Sequence, residues 1–402
     1  MTHRERVLTA LRHREPDRVP IDLGGTVDST VSAMAYQPLR RALGLPANVT
    51  RVADVCQFTA IIDRDVREAL QVDTAIIQPE PRQWSPGTLP DGSSAEFPAR
   101  FQPQLLMDGS QVLLDDEGTV TLRMPAGGYY FDPVHSPLWE ATTIQEIDKH
   151  WQAIEAYDSP AYLDKSYREL AGVARSVREE TDYLVVAFFG GHILQAGQQL
   201  RGWERFLVDL LTNRPLAEAL MDRLTDAHIR RFARFAETVG PFVDVVQFEE
   251  DLGMQDRPLM SPALYRQAVK PYHQRLFGYA RSACTARLLL HSDGAVAPLI
   301  PDFIEMGVDA LNPIQISAAG MDPAELKRQY GQDLTFWGAA CDSQEVLPYG
   351  TPQDVADQVR RQIDILAPGG GFVLAPIHNI QAGVPAANVV ALFRTAHEHG
   401  RY

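Results

Sequence analysis

The sequence predicts a (β/α)8 TIM-like barrel spanning residues 1–402 as a single domain. Three observations carry that expectation. Short apolar runs bounded by turn residues recur along the chain, and long helical patterns separate them. The runs are near-continuous in apolar residues, not alternating, as strands buried between a core and a helix layer require. Eight such strands alternating with helices close into a barrel. A doubly wound open sheet is the competing architecture.

In chain order the runs fall at 18–23, 73–79, 183–189, 242–249, 286–291, 308–312, 334–338 and 372–377. The helices between them carry their own punctuation. Thr2-x-x-Glu5 and Thr143-x-x-Glu146 are capping-box patterns, and Ser261-Pro262 and Thr351-Pro352 place a cap residue before a proline at the first helical position. From 215 to 235, Leu216, Leu220, Met221, Leu224, Ile229, Phe232 and Phe235 form an apolar stripe suited to packing on a barrel. Residues 81–140 break the rhythm with prolines, glycines, aromatics and a hairpin-like stretch at 111–122. They are expected to form a small β insertion over the C-terminal rim, either shaping the pocket or decorating the surface.

Composition narrows the function classes. The chain is 45% hydrophobic and 22% charged, which is ordinary globular composition. A net charge of -15 and a pI of about 5.2 disfavour nucleic-acid binding, and no basic block offsets them. No apolar run approaches the roughly 18–20 residues of a membrane span. The opening Met1-Thr2-His3-Arg4-Glu5-Arg6 has no signal-peptide core, so a cytoplasmic location is expected. Cys56, Cys284 and Cys341 form no Cys-x-x-Cys pair, which argues against a disulfide framework. Cys341 alone follows a strand end.

In barrels the C-terminal strand ends line the active site. Two histidines stand at such ends: His291 closes the fifth run and His378 follows the eighth, with Asp293 beside the first. Imidazole is the commonest transition-metal ligand and titrates near neutrality. Glu80, His192, Glu249, Glu250, Asp251, Asn312, Gln315, Gln344 and Gln381 fall on the same rim. Hydrogen-bonded histidines orienting a substrate without metal are one reading; a metal held by imidazoles and hard carboxylates is the other. Gly369-Gly370-Gly371 precedes the eighth run and so belongs to the opposite, stabilising face as a turn. No dinucleotide fingerprint, Walker loop or nucleophile elbow occurs.

The motifs together resemble the uroporphyrinogen decarboxylase superfamily, which includes cobalamin-dependent methyltransferases. They are Glu15-Pro16-Asp17-Arg18-Val19-Pro20, Asp251-Leu252-Gly253-Met254-Gln255, His291-Ser292-Asp293-Gly294, Gly307-Val308-Asp309-Ala310-Leu311-Asn312-Pro313, Phe336-Trp337-Gly338, and Ala375-Pro376-Ile377-His378-Asn379. The resemblance implies the superfamily's barrel. In the decarboxylase branch, arginines in the loop after the first strand clamp the substrate's carboxylates; here that loop, Asp22 to Asp28, has none. The branch's aspartate falls on Glu80 and its histidine on His378. In the methyltransferase branch, zinc is held by a His-x-Cys pair and a later Cys. The matching positions here are His291, Asp293 and His378, so both thiols are replaced by harder ligands.

The resemblance therefore implies a methyl-donor demethylase. Zinc held by nitrogen and oxygen suits the ether oxygen of a small methoxylated donor, aromatic ethers included, and a corrinoid protein carrying cobalamin would accept the methyl group. His291, Asp293, His378 and Glu250 are the expected metal ligands, and His378, Glu80 and Asp251 the catalytic groups. His192, Asn312, Gln315, Trp337, Gln344 and Gln381 are expected to contact substrate, with Phe336, Tyr129 and Tyr130 as an aromatic wall. The superfamily analogy also allows a homodimer. Two alternatives stay open: a cofactor-free decarboxylase or lyase using His378 and Glu80, and a non-catalytic barrel that binds a small molecule.

Overall fold

The computed structural model of the chain describes residues 1–78, 81–150 and 167–402. Its centre is one sheet of seven parallel strands: β1 (Thr74–Ile77), β2 (Leu184–Gly190), β3 (Val245–Glu249), β4 (Arg287–His291), β5 (Ala310–Asn312), β6 (Thr335–Ala339) and β7 (Phe372–Ala375). Each strand lies beside its sequence neighbour, so the sheet runs β7-β6-β5-β4-β3-β2-β1 in space. Helices cross between consecutive strands, as parallel pairing demands.

The gap between β7 and β1 is closed by residues 20–22. Leu374 N–H donates to the Pro20 carbonyl at 2.9 Å, and Asp22 N–H donates to the Leu374 carbonyl at 2.8 Å. On the other side Asp73 N–H donates to the Ile21 carbonyl at 2.7 Å, while Ile21 N–H donates to Asp73 Oδ2 at 2.8 Å. The fold is therefore a TIM-like barrel, but the first predicted run is not a strand. Pro20 has no N–H and that of Ile21 is taken by a side chain, so a ladder cannot propagate there.

Both faces of the sheet are buried, which explains the continuous apolar runs. Leu184, Val186, Val245, Leu289, Ala310, Trp337 and Val373 point into the barrel. Val7 and Leu11, from the helix His3–Ala10 and its end, pack with them. The alternate residues, among them Val185, Val246, Leu288, Leu290, Phe336 and Phe372, face the helix layer. Fully burying one such side chain contributes about 1.5–3 kcal/mol.

The helix punctuation is realised as hydrogen bonds. Thr2 with Glu5, and Thr143 with Glu146, form reciprocal capping boxes, and Ser261 Oγ accepts from Leu264 N–H. The helix Arg214–Thr238 buries Leu216, Leu220, Met221, Leu224, Phe232 and Phe235. The triple glycine before β7 has φ values of 78, 75 and 69°. A Cβ on Gly370 would stand 2.4 Å from the Arg14 carbonyl oxygen, so the turn packs against the N-terminal segment at the barrel's lower end.

Residues 84–133 form two antiparallel units. Trp84–Thr88 pairs with Ser94–Pro98, and Gln104–Leu105, Gln111–Leu114, Val120–Met124 and Asp132–Pro133 make a four-stranded sheet. Phe58, Phe97, Phe101 and Phe131 cluster with ring centroids 5.2–6.2 Å apart and tie these units to the segment before β1. Among the described residues no helix is long and apolar enough to cross a membrane.

Candidate active site

Strand register decides which side chains meet. β3 and β4 pair with Glu249 opposite His291, and β5 places Asn312 opposite His291 on the other side. His291 and His378 then face one another across the barrel mouth, their ring centroids 6.0 Å apart. Asp293 Oδ2 lies 3.7 Å from Nε2 of each. Asp28, from the loop after residues 20–22, puts Oδ2 3.3 Å from His291 Nδ1. Asp251 reaches the same place and accepts the Asp293 N–H at 3.2 Å.

The tautomer of His291 is set by its neighbours. Asn312 Nδ2 donates to the Trp337 carbonyl at 3.3 Å, so Asn312 Oδ1 is the acceptor that faces the ring. His291 Nδ1–H donates to it at 2.7 Å, so Nε2 is the nitrogen aimed at the mouth. Asn312, expected to contact substrate, is fully buried with both its amide ends used, and it positions His291.

Four carboxylates and two imidazoles share this mouth, and no Lys or Arg pairs with any of the four among the described residues. Burial raises Asp28, against the pull of His291. Burial raises Asp251 as well. It opposes the charge on His291, but Asp28, Asp293 and Glu249 overcome it and lift the imidazole well above its ordinary value. His378, nearer solvent, is pushed down by burial. Clustered carboxylates of this kind need a proton or a cation in common.

The donor set fits such a cation. One ligand atom each from Asp28, His291 and His378 lie within 4.8 Å of one another, and so do those of Asp251, His291 and Asp293. Two donors at about 2.0–2.1 Å from a tetrahedral zinc stand about 3.4 Å apart. The 3.7 Å separations of Asp293 Oδ2 from the two Nε2 atoms are close to that span. His291 would be the shared ligand, acting either with Asp28 and His378 or with Asp251 and Asp293.

The structure departs from the expected site at several residues. Glu250 faces away from the mouth. Its carboxylate accepts the N–H groups of Ile193, Leu194 and Gln195 at 2.7–2.8 Å and the ring of His273 at 2.9 Å. It therefore caps the helix Leu194–Arg201 and is no metal ligand, because successive residues of extended backbone point to opposite sides. Trp337 is buried in the barrel core, with its indole N–H on Asp22 at 2.7 Å, and is not part of the mouth. Phe336 is likewise core, packed under the helices. Glu80 lies outside the described residues.

The remaining expected residues sit on the rim. His192 Nε2 lies 3.5 Å from Glu249 Oε2. Gln315 accepts the Gly294 N–H at 2.8 Å, and its Nε2 meets Gln255 Oε1 at 2.9 Å. Gln344 donates to the same Gln255 oxygen at 3.2 Å, while Gln381 donates to the Asn379 carbonyl. Tyr129 and Tyr130 are exposed on the 84–133 units. Cys341 is buried with its thiol pushed up to about 12 by burial, which removes it as a nucleophile.

Three contributors lie outside the set that the strand ends predict. Asp28 sits in a loop whose close turn over Asp22 depends on Gly25, where a Cβ would stand 2.1 Å from Thr74 Oγ1. Gln247 donates to Asp28 Oδ2 at 2.6 Å and is fully buried in β3. A lone amide within the apolar run Val245-Val246-Gln247-Phe248 is the signal that could have found it. Gln255, which collects two rim amides, has no such signal.

The family described as uroporphyrinogen decarboxylase (URO-D) matches residues 140–399, and the chain belongs to that family. No curated protein matches the sequence. Among solved structures the chain is similar to a methyltransferase from Methanosarcina mazei, with TM-score 0.58 and 18% identity over 99% of each chain. At that identity the likeness speaks for the fold. A glycoside hydrolase family 5 enzyme from Prevotella bryantii B14 matches at TM-score 0.32 and 9% identity, over 63% of this chain and 86% of that one, too distantly to bear on function.

Proposed function

We propose that this member of the uroporphyrinogen decarboxylase family is a zinc-dependent methyltransferase that takes the methyl group of a small methoxylated donor and passes it to a corrinoid protein. The observation that carries this reading is the mouth itself. His291 and His378 converge at strand ends amid four carboxylates, and among the described residues no guanidinium pairs with those acids. Zinc bound there would supply Lewis acidity where an ether oxygen must leave with its electron pair.

The chain's own residues then have definable tasks. Asn312 fixes the His291 ring so that Nε2 faces the mouth. Gln247 holds Asp28 against His291 Nδ1. Gln255, Gln315 and Gln344 brace the rim loop that carries Asp251 beside Asp293. In the overall reaction the methyl–oxygen bond breaks, the methyl goes to the reduced corrinoid, and the oxygen retains the electron pair and gains a proton. A partner protein docked over the same rim would give the in-line approach this requires. The segment 81–140 would wall the donor's pocket, and the reaction would run in the cytoplasm.

The test couples metal content to chemistry. Purified protein should hold about one zinc per chain by elemental analysis. Mixed with a reduced corrinoid protein, it should change the corrinoid's absorption spectrum only when a methoxylated donor is added. Release of carbon dioxide from a carboxylated substrate by metal-free enzyme would overturn the proposal in favour of the decarboxylase.

A further inference from the structure

Beside the mouth lies a second feature that the proposed chemistry does not use. Arg67, on the helix Arg64–Leu70, lines a cavity with about 80 Å³ of free space inside an opening of about 620 Å³. Its Nε is buried without a hydrogen-bond partner, and its guanidinium has no hydrogen bond or ion pair among the described residues. Burial pushes its pKa down, yet a guanidinium stays charged at any physiological pH. Arg67 as a whole is half-buried, and among the described residues nothing pairs with this permanent cation.

The carboxylates whose charge reaches Arg67 are engaged elsewhere. Asp63 is held by Arg40 at 2.8 Å and by the Tyr36 hydroxyl at 3.0 Å. Asp22 is saturated by Gly25 N–H, Ser29, Thr74 and Trp337 at 2.6–2.8 Å. The rest of the lining is mixed: Ile61, Ile62, Ile76 and Val173 are apolar walls, Thr26, Thr30, Thr59 and Gln78 are polar, and Asp54 adds a carboxylate that takes the Cys56 N–H at 2.7 Å and that burial pushes up. A free cation beside both apolar walls and hydrogen-bonding side chains is the recognition chemistry of a carboxylate on a short hydrocarbon body.

The cavity adjoins the proposed metal site. Thr26 and Val27 line it and belong to the loop that presents Asp28 to His291. Val27 N–H donates at 3.2 Å to Gln247 Oε1, while the other end of that amide holds Asp28. A single loop therefore separates Arg67 from the mouth.

We propose that Arg67 is the anchor of a carboxylate subsite that accepts a small monocarboxylic acid. Two sources share that chemistry: the acid end of the methyl donor, or a free carboxylate bound next to it. Only the first rests on the methyltransferase reading.

The test measures binding without metal or corrinoid partner, so it stands whether or not turnover is ever observed. Butyrate and benzoate would be titrated calorimetrically against chelator-treated protein, beside their uncharged amides. At least one acid is expected to bind ten-fold or more tightly than its amide, and Arg67→Met should erase that preference while leaving the amide's affinity unchanged. Equal binding of acid and amide by the native protein, or an acid preference that survives Arg67→Met, would overturn the subsite. Should Arg67→Met fail to fold, Arg67→Lys serves: charge without the planar fork should weaken the acid several-fold, and an unchanged affinity counts against the proposal. Competition then separates the sources. Benzoate that displaces 4-methoxybenzoate identifies the donor's acid end; benzoate that binds alongside a neutral methoxylated donor identifies a free carboxylate.

Discussion

The two ends of this barrel bury acidic side chains in opposite ways. At the lower end an aspartate precedes each of three strands, and each is matched by arginine. Asp73 takes Arg6 and Arg18 at 2.6–2.9 Å, Asp244 takes Arg178 at 2.9 Å, and Asp309 takes Arg281 and Arg287 at 2.7 Å. Each also accepts a backbone N–H: Asp73 that of Ile21 in the closing segment, Asp244 that of Val185 and Asp309 that of Leu288, the last two near the starts of strands. At the upper end Asp28, Glu249, Asp251 and Asp293 meet only imidazoles as cationic partners among the described residues. A guanidinium is a permanent partner, so the lower ring is fastened for good. An imidazole can release a proton and bind an ion, so the upper cluster remains exchangeable. That division matches the general separation of stability and catalysis between barrel faces.

The largest effect that would break this contrast is loss of the upper cluster's function. His291→Ala should remove bound metal and lower turnover by at least about a thousand-fold, as loss of a catalytic ion does. Its folding should be little changed. Elemental analysis, donor turnover and a denaturant titration read all three, and retained metal with full activity would take His291 out of the site.

At the lower end the balance should invert. Asp73→Asn leaves Arg6 and Arg18 without their shared carboxylate and should cost about 3–5 kcal/mol of stability, with metal content unaltered. Burial opposes the charge on Asp73, but His3, Arg18 and Arg6 together hold its pKa below the ordinary carboxylate value. A group depressed in the folded state contributes stability above its unfolded pKa and loses it as pH falls through the folded one. Stability should thus decline on acidification below about pH 4, and Asp73→Asn should flatten that decline. Denaturant midpoints measured across the acid range check the sign; a variant as acid-sensitive as the native chain would refute the assignment.

Glu250 tests where the boundary between the two regimes runs. It lies in the acidic run at the mouth, yet it behaves like a lower-end residue, sealed by three N–H groups and His273. Glu250→Gln should cost about 1–3 kcal/mol, because an amide cannot accept the full set of donors. Zinc content should stay at the native level. A variant that folds normally and loses metal would return Glu250 to the mouth.

How much of this is legible in the sequence depends on side-chain periodicity and loop chemistry. Apolar runs ending in histidine are readable as strand ends facing the rim, because strand direction and residue order fix which end is which. The run 18–23 misleads because it has a strand's composition, whereas its hydrogen bonds go to Leu374 and to the Asp73 side chain. Glu250 is misassigned for want of register: three successive acids cannot all face one way, and only the position of the next helix decides which turns outward. Asp28 leaves no trace, since a loop aspartate after two glycines looks like turn chemistry until the barrel brings it to His291.

The finest prediction concerns that aspartate. Burial and the neighbouring carboxylates of Glu249, Asp293 and Asp251 raise Asp28, so in metal-free protein it is a member of a crowded acidic group. Asp28→Asn should relieve that repulsion and stabilise the metal-free protein by about 1 kcal/mol, the reverse of Asp73→Asn. The same change weakens the partner that orients His291 and should lower zinc affinity by about 10–100-fold, as loss of an outer hydrogen-bond partner does. Opposite signs from two buried Asp→Asn changes, one at each end, are what the contrast requires. Denaturant titrations with and without added zinc measure both. If Asp28→Asn destabilises the metal-free chain as Asp73→Asn does, the upper carboxylates are fastened like the lower ones and the mouth has lost its claim to an exchangeable ion.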